Sequence, residues 1–360
     1  MNTSTAKKNN WMKNDIRNLS YDGLTSLVKE LGEKSFRADQ IFEWIYKKGA
    51  VSFDDMKNLP TAFREKLNER SEIFSPAIVH EERSEDGTRK VLFDLKDHER
   101  VETVLIPAEK RATICVSTQA GCKFGCRFCA SGIGGWSRDL SAAEILTQIL
   151  YMKNTQKSQP LSHIVFMGVG EPLDNYDNLL KAIKTINSPK GINIGARRIT
   201  ISTCGLVPKI QKLAKEGLQI ELAVSLHGSS NTSRNVLMPV NKKYPVAELI
   251  AACREYNRST KRQITFEYIL IKDVTCTAYA AAELGRLLKG LVCKINLIPY
   301  NKVSEFDHET PSREEIYSFR DMLKKYGIHA TVRMPRGRDV SAACGQLRHT
   351  TDKHTDIEKP

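Results

Sequence analysis

Three cysteines that lie close together in the sequence could bind a metal cluster. Cys122, Cys126 and Cys129 have the spacing C-x3-C-x2-C and follow an apolar segment, residues 112–117, that we predict to be a β-strand. Thiolates hold iron–sulfur clusters, and three of them on a tight loop can bind three irons of a four-iron cluster. The fourth iron then has no protein ligand, and a catalytic metal site needs such an open position. The spacing therefore favours a [4Fe-4S] cluster whose fourth iron can bind a small molecule.

A structural zinc site and inert buried thiols are the alternative explanations of these cysteines. A structural zinc ion usually takes four ligands from paired C-x2-C units, and the sequence contains no second pair. Gly121 and Gly125 allow the backbone to bend sharply around a bound group. We therefore expect the three cysteines to be cluster ligands.

The chain is basic, which indicates a polyanionic partner. Its 360 residues carry a formal charge of +13, and the pI is about 9.2. This balance favours nucleic acid as a partner, although a solvated basic surface would give the same charge. The length, with 41% hydrophobic residues, suits one large catalytic domain and a small one.

Cysteine content and hydropathy indicate the compartment. Nine cysteines are an odd number and three are assigned to metal, so we expect a reducing compartment and no disulfide framework. No apolar run reaches the length of a membrane span, and residues 1–15 lack the apolar core of a secretory signal. We therefore expect a cytoplasmic protein that does not contact the membrane.

Two small units are predicted before the cysteine loop. Apolar residues at helical spacing predict three helices, over residues 19–29, 36–48 and 54–68. Their pattern is close to a helix-hairpin-helix nucleic-acid binder, but a helical cap that only packs on the core fits equally well. Basic residues of this unit could contact phosphates or serve solubility only: Lys29, Lys34, Arg37, Lys47 and Lys48. The pattern then changes to strands, over residues 77–82, 90–95 and 100–106.

Strands and helices alternate after residue 111. The predicted strands are residues 112–117, 163–167, 198–202, 220–225, 265–271, 294–298 and 329–333. The predicted helices are residues 142–152, 178–186, 208–215, 245–256, 278–289 and 313–326. This repetition predicts an α/β fold with a parallel sheet and crossover helices, in which sites collect at the carboxyl ends of the strands.

Polar residues follow several of these strands. The segment Gly-Val-Gly-Glu-Pro, residues 168–172, comes after the second strand, and its glycines would let a ligand approach the backbone. Ser202, Ser225, His227 and Asn301 lie at or after later strand ends. Each one alone is more often a turn or core residue, but together they could bind a polar cofactor.

The cysteine loop resembles that of the radical S-adenosylmethionine (SAM) superfamily, and further segments resemble the RlmN family of RNA methyltransferases within it. The match runs from about residue 19 to residue 347, and the similar segments are residues 32–40, 100–104, 115–129, 170–172, 225–227, 293–299 and 342–347. The resemblance implies a partial (βα)6 barrel. We divide the chain accordingly into a helical RNA-binding accessory domain (1–70), a β-rich extension (71–107), the barrel (108–340) and a C-terminal segment (341–360).

The resemblance also implies the cofactors and their ligands. Cys122, Cys126 and Cys129 would hold a [4Fe-4S] cluster, and SAM would be used twice per turnover. The residues that match SAM contacts of the family are Gly170, Glu171, Ser202, Ser225, Leu226, His227 and Asn301. Ser131, Cys204 and Ser341 depart from the residues usual in the family, which affects the expected SAM affinity but not the reaction.

The reaction implied is methylation of C2 of an adenosine in 23S ribosomal RNA and of the adenosine next to the anticodon in tRNA. In the family mechanism, Cys344 carries a methyl group and becomes linked to the RNA. Glu102 removes the C2 proton, and Cys115 then attacks the Cys344 sulfur. The reaction leaves a Cys115–Cys344 disulfide, so a thiol reductant is expected as well as a flavodoxin-type or other one-electron donor.

Two other functions compete with this one. Methyltransferases of the Cfr type modify C8 of the same adenosine and share both cysteines and the cluster. Pro172 and residues 293–296 favour the C2 enzyme, because the C8 relatives usually differ there. A non-catalytic iron–sulfur or zinc RNA-binding protein needs only the three clustered cysteines and a basic surface. That second function gives no role to Cys115 or Cys344.

Overall fold

The computed structural model describes residues 13–109, 111–156, 159–303, 306–333, 336–337, 339–340 and 346. The strands are β1 Asn14–Asp15, β2 Ser71–Glu72, β3 Ala77–Arg83, β4 Arg89–Asp94, β5 Arg100–Ala108, β6 Arg111–Cys115, β7 Gln119–Gly121, β8 Trp136–Asp139, β9 Leu161–Phe166, β10 Ile199–Thr203, β11 Glu221–Ser225, β12 Ile264–Leu270, β13 Cys293–Pro299 and β14 Ala330–Val332. The α-helices are α1 Tyr21–Glu30, α2 Phe36–Glu43, α3 Thr61–Arg70, α4 Ala130–Ile133, α5 Ala142–Thr155, α6 Tyr176–Asn187, α7 Val207–Leu213, α8 Asn231–Leu237, α9 Val246–Thr260, α10 Ala278–Leu287 and α11 Arg313–Lys325. Cys344 and Ser341 lie outside the described residues.

A ten-stranded sheet organises the chain, in the order β14-β13-β12-β11-β10-β9-β6-β5-β4-β3. The strands from β6 through β9 to β14 are parallel neighbours in sequence order, each separated from the next by at least one helix. The predicted α/β fold with crossover helices is therefore confirmed. The order begins with β14 and ends with β3, so the described strands form an open, partial barrel.

The β-rich extension continues this sheet. Strands β3, β4, β5 and β6 pair antiparallel in succession, and β6 then pairs parallel with β9. Strand β6 is therefore the junction between the antiparallel and parallel parts. This position places β5 directly beside the strand that leads to the cysteine loop. The predicted division into domains stays a prediction, because one hydrophobic core spans the helical unit, the extension and the barrel.

The helical unit packs against the barrel helices. Ala143, in the first turn of α5, donates its backbone N–H to Asn18 Oδ1 at 2.9 Å. Lys190, after α6, contacts both Asp39 Oδ1 at 2.6 Å and the Tyr21 hydroxyl at 2.8 Å. The hydrogen bond from Lys190 lowers the pKa of Asp39, with a smaller contribution from the Tyr21 hydroxyl. The helical unit therefore packs on the core. A helical cap requires this packing, and a nucleic-acid binder is compatible with it.

The helix predicted over residues 54–68 is wrong at its start. The structure has a short 3₁₀ turn at Phe53–Asp55 and begins α3 at Thr61, directly after Pro60. Proline has no N–H to donate and restricts the residue before it, so it suits the start of a helix and not its interior. The helix predicted over residues 36–48 is α2 followed by a π-helical turn, Trp44–Lys48, that ends at Gly49. In the described part of the chain, no helix is long and apolar enough to cross a membrane.

Candidate active site

The cysteine loop, residues 122–129, is fixed by a short hairpin that the sequence did not predict. Strand β7 pairs antiparallel with β8, and Cys122 donates its N–H to Gly135 O at 2.7 Å. Gly121 has a φ of 78°, and a side chain there would place Cβ 2.1 Å from that same carbonyl oxygen. Only glycine fits this position, because it needs both the left-handed backbone and the close approach. The hairpin therefore holds the start of the loop in place.

A buried amide network fixes the end of β6, from which the chain runs into β7. Gln148 of α5 accepts hydrogen bonds at its Oε1 atom from the Thr103 hydroxyl at 2.6 Å and from Ser117 N at 3.0 Å. Its Nε2 atom donates to Ser117 O at 3.0 Å. Every partner is buried, and buried polar groups that are fully paired hold one arrangement firmly. Helix α5 thereby positions the segment that precedes the cysteine loop.

One cavity of about 170 Å³ lies at the carboxyl ends of the parallel strands. Eight of the residues predicted from the sequence line it together: Cys122, Cys126, Cys129, Gly170, Glu171, Ser202, Ser225 and His227. They come from the loop and from the ends of β9, β10 and β11 or the segments that follow them. This is where parallel α/β sheets place their ligands. The roles of these residues stay predictions.

Burial controls the ionisation of two thiols of the loop, those of Cys122 and Cys126. It raises the pKa of Cys122 to about 12 and also raises the pKa of Cys126. The positive charge of Arg234 opposes the shift at Cys126. Without a metal these thiols would stay protonated, whereas bound iron removes their protons.

The donor set fits a cluster better than a single ion. Within the described residues, no three His, Cys, Asp or Glu side chains are grouped closely enough for one metal ion. A four-iron cluster takes each thiolate on a different iron, so its ligands surround a larger volume. The three cysteines face a cavity that also contains polar side chains for a further ligand. The arrangement therefore suits a [4Fe-4S] cluster with a small molecule beside it.

Glu171 is a buried carboxylate, and each of its two oxygens accepts a hydrogen bond from a backbone N–H. Its Oε2 accepts from Cys204 N at 2.7 Å, and its Oε1 accepts from Leu173 N at 3.0 Å. Burial raises its pKa, while these hydrogen bonds act in the opposite direction. The carboxylate is thus held rigidly at the cavity wall, where a positively charged ligand group would stabilise its ionised form.

His227 is buried and neutral. Its Nδ1 accepts a hydrogen bond from Ile269 N at 3.0 Å, so the proton of the neutral ring lies on Nε2. Burial, assisted by the positive charge of Arg234, lowers its pKa to about 3. The ring meets Phe128 of the cysteine loop edge to face, with centroids 4.7 Å apart. His227 therefore links strand β12 to the loop and can offer one N–H donor.

Gly170 is required by packing within the chain. Its φ is 103°, and a Cβ atom there would lie 2.5 Å from Gln119 Cβ. We expected the glycines of residues 168–172 to make room for a ligand. That expectation stays a prediction, since Gly168 and Gly170 both line the cavity, and the structure adds that this turn packs against the strand β7 that enters the cysteine loop. Glu171 N donates to Gln119 Oε1 at 2.8 Å, which closes the same contact.

The remaining predicted residues lie away from the cavity lining or outside the described chain. Leu226 and Asn301 are buried but do not line the cavity. Glu102 on β5 is buried and its Oε1 lies 3.3 Å from Lys90 Nζ. Cys115 ends β6, where it pairs with Val104 of β5. Cys344 belongs to the undescribed C-terminal segment.

A second apolar cluster surrounds Cys115. Val104, Cys115 and Val169 form its buried part, and Met167 and Val340 pack against it. Met167 also lines the cavity, so the two regions adjoin. Hydrogen bonds connect the residues before Val340 to the turn between β3 and β4.

Asp339 and Gly337 contact the β3–β4 turn, and Arg336 NH1 donates to Pro107 O of β5 at 3.3 Å. Asp339 accepts from the Ser84 hydroxyl at 2.6 Å and from Glu85 N at 3.2 Å, and the Ser84 contact lowers the pKa of Asp339. Gly337 N donates to Asp86 Oδ2 at 3.2 Å. These contacts hold the chain next to Val340, which reaches the Cys115 cluster from a distant part of the sequence.

Sequence reasoning missed Glu267, which also lines the cavity. It lies in β12, whose seven residues are all buried. Its Oε1 accepts from Asn296 Nδ2 at 2.8 Å, and Arg333 NH1 lies 3.9 Å from the same oxygen. Burial raises its pKa, against the effect of Arg333. An acidic residue within the apolar run Ile-Thr-Phe-Glu-Tyr-Ile-Leu was the available signal.

Comparisons with known proteins agree with this geometry. Residues 14–73 match the family model of the ribosomal RNA large subunit methyltransferase N-terminal domain, and residues 116–276 match the radical SAM superfamily. A probable dual-specificity RNA methyltransferase RlmN of Clostridium perfringens is 46% identical over 348 residues, which cover 96% of this chain and 100% of that protein. The protein of the same description from Clostridium acetobutylicum is 49% identical over 318 residues, covering 88% of this chain and 92% of the relative.

A solved structure is similar as well. The crystal structure of a radical SAM methyltransferase from Sphaerobacter thermophilus superposes with a TM-score of 0.91 at 43% identity, covering 94% of this chain and 100% of that one. The chain is 46% and 49% identical to these RlmN proteins over 96% and 88% of its length, and it shares its fold with a radical SAM methyltransferase. The chain belongs to the RlmN family of the radical SAM superfamily.

Proposed function

We propose that the protein methylates C2 of an adenosine in 23S rRNA and of the adenosine next to the anticodon in tRNA, using two molecules of SAM per turnover. Family membership supports a radical SAM RNA methyltransferase. The particular atom, the RNAs and the residue roles are our inference. Adenine C2 is electron-poor and does not attack the methyl group of SAM directly, so the reaction needs a carbon-centred radical.

The observation that carries this proposal is the packing of Val340 beside Cys115. Residue 344 follows Val340 by four positions, and four residues span at most about 14 Å. Chain connectivity therefore permits the Cys344 sulfur to reach Cys115, as the proposed disulfide requires. A protein that only bound RNA through a metal loop would have no use for Cys115 in this cluster or for Cys344 four residues after Val340.

We assign the steps to these residues as follows. Cys122, Cys126 and Cys129 would hold the cluster, which would supply the electron for reductive cleavage of SAM to a 5′-deoxyadenosyl radical. Cys344 carries the methyl group that loses a hydrogen atom and becomes bonded to C2 through its carbon. Glu102 accepts the C2 proton as one electron leaves the adduct. The Cys115 thiolate then attacks the Cys344 sulfur, which releases methylated RNA and forms a disulfide.

The position of Glu102 supports its role as the base. The Ser117 hydroxyl donates to Glu102 O at 2.6 Å, so Glu102 lies beside the start of the segment that enters the loop. Lys90 contacts Glu102 and Glu82; burial opposes its charge, but these carboxylates raise the pKa of Lys90. A lysine held in its charged form would stabilise the carboxylate of Glu102 until it accepts a proton.

A basic surface on the helical unit would bind RNA. Lys29, Lys34 and Lys47 are exposed, whereas Arg37 pairs with Glu33 and Lys48 pairs with Glu43. Phosphate contacts release counterions, so affinity for RNA should fall steeply as salt is raised. C2 is inaccessible within stacked bases, so the target adenosine should be flipped out of its stack.

The remaining partners follow from the redox chemistry. A flavodoxin-type or other one-electron donor would reduce the cluster, and a thiol would reduce the Cys115–Cys344 disulfide. A cytoplasmic location would supply both. These partners are inferred from the reaction and from the cysteine content.

Mass spectrometry of RNA after an anaerobic assay with SAM and a reductant tests the proposal. We expect 2-methyladenosine in fragments of 23S rRNA and in tRNA. A methyl group on C8 would identify the Cfr-type reaction instead. Unmodified RNA together with a colourless, zinc-containing protein would support the non-catalytic binder.

A further inference from the structure

Arg234 is the largest side chain that is fully buried in the described protein, with 0% of its surface exposed. It belongs to α8, a helix of seven residues for which the proposed chemistry gives no role. Burying a guanidinium costs several kcal/mol unless opposite charge or hydrogen bonds compensate it. The compensation available to Arg234 therefore indicates what it does.

The hydrogen-bond partners of Arg234 in the described chain are all uncharged. Its Nε donates to Leu226 O at 3.0 Å, and its NH1 donates to Asn241 Oδ1 at 3.1 Å. Its NH2 donates to the carbonyl oxygens of Cys204 and Ser225. These bonds give each of the three nitrogen atoms a partner but leave the positive charge without an anion among the described residues.

Three cysteines and His227 lie close enough to Arg234 to interact with its charge. Burial lowers its pKa, and Cys204, Cys126 and Cys253 act in the opposite direction. Of these, Cys126 is a proposed cluster ligand, and it lines the same cavity as Cys204 and Ser225, whose carbonyl oxygens Arg234 binds. Arg234 is therefore in direct contact with two residues that line the same cavity as the proposed cluster ligands.

Helix α8 also contacts the loop directly. Arg127, between two of the proposed ligands, donates its N–H to Leu237 O at 3.0 Å, at the end of α8. Arg234 binds the carbonyl oxygens of Leu226, Cys204 and Ser225. Cys204 and Ser225 line the cavity, and Leu226 directly follows Ser225. Arg234 thus lies behind the wall of the cavity and next to the helix end that holds the loop.

We propose that Arg234 is the buried counter-charge of the iron–sulfur cluster and raises its reduction potential. Three thiolates outweigh the charge of the oxidised core, and reduction makes the assembly more negative still. A buried cation nearby favours the more negative state, because net charge around a cluster sets its potential. Arg234 is a positioning residue here, because it acts through the cluster and touches no substrate.

An anaerobic redox titration of the full-length, cluster-loaded protein, followed by electron paramagnetic resonance, tests this role. In Arg234→Met we expect at least a tenfold fall in the ratio of reduced to oxidised cluster at a fixed potential. For one electron this equals a shift of about 59 mV to lower potential. Arg234→Lys keeps the charge and should stay close to the wild-type midpoint.

A second variant covers the outcome that Arg234→Met assembles no cluster. Asn241→Asp keeps the guanidinium in place and supplies an anion of the same shape at the NH1 contact, so it should also lower the midpoint. Arg262→Met is the matched control. Arg262 pairs with Glu221 at the opposite end of β11 from Ser225, so its loss should leave the midpoint unchanged.

Unchanged midpoints in Arg234→Met and Asn241→Asp, with full iron content, would overturn the proposal. An equal shift in Arg234→Lys would also overturn it, because shape and not charge would then be responsible. The proposal rests on the cluster ligands assigned above. If that assignment failed, wild-type protein would contain no cluster to titrate, whereas failure of the Arg234 role leaves a cluster with an unaltered midpoint.

Discussion

The two groups of cysteines in this protein reach their positions by different routes. Cys122, Cys126 and Cys129 lie on one short loop, held by the β7–β8 hairpin and by helix α8. Cys115 contacts Val340, which lies far away in the sequence, because β5 pairs with β6 and Asp339 binds the β3–β4 turn. The first site depends on local geometry, whereas the second is assembled from distant segments. Substitutions that impair the function of Cys115 should therefore leave the cluster on the loop intact.

The largest effect should come from the loop. Cys126→Ala removes a proposed ligand, so we expect loss of the cluster and of all methyl transfer. Iron and sulfide content after anaerobic purification measures the result. Cys253→Ala, at a buried cysteine outside the loop, is the control and should keep its iron. Full iron content in Cys126→Ala would show that the loop does not hold the cluster.

Cys115→Ala should give a different failure. The cluster should remain and RNA should still become bonded to Cys344, but no thiolate is left to release it. We expect a covalent RNA adduct that survives denaturant, detected by peptide mapping after nuclease digestion. The double variant with Cys344→Ala should form none. A nucleotide mass on another residue, or normal turnover without an adduct, would contradict the assigned roles.

A smaller effect should follow when the contact between Asp339 and the β3–β4 turn is lost. Asp339→Ala removes the acceptor for the Ser84 hydroxyl and Glu85 N, so kcat/KM for methyl transfer should fall about fivefold to tenfold. The iron content should stay that of the wild type. Asp321→Ala, whose carboxylate contacts Arg320 on the exposed side of α11, serves as the control. An equal loss of iron in Asp339→Ala would mean that the two sites are not separable.

The smallest effect concerns the pH dependence of stability. His227 has a pKa of about 3 when folded, against 6.5 for the unperturbed side chain. The unfolded chain therefore binds more protons between these values, and the free energy of unfolding falls as pH drops below about 6.5. The loss at pH 5 should be about 2 kcal/mol.

Urea unfolding of the cluster-free full-length chain near pH 7 and near pH 5 measures this contribution. His227→Gln has no titrating group at this position, so its stability should fall less than that of the wild type between the two pH values. Equal losses in both proteins would show that His227 does not stay neutral in the folded state.

The sequence by itself determined the parts of this protein that depend on short-range pattern. Alternating apolar segments predicted the parallel strands and their crossover helices, because a buried strand and an amphipathic helix each have their own periodicity. The three loop cysteines and the polar residues at strand ends were also visible. Parallel strands end at one edge of a sheet, so those residues were expected to come together.

Tertiary structure alone decided the features that join distant segments. The sequence gives no sign that Gly170 faces Gln119, that Arg234 is buried behind the cavity wall, or that Val340 packs on Cys115. The two-stranded hairpin β7–β8 was too short for a period-two pattern to predict it. Such contacts depend on packing between residues far apart in the chain, whereas periodicity reports only which face of an element is buried.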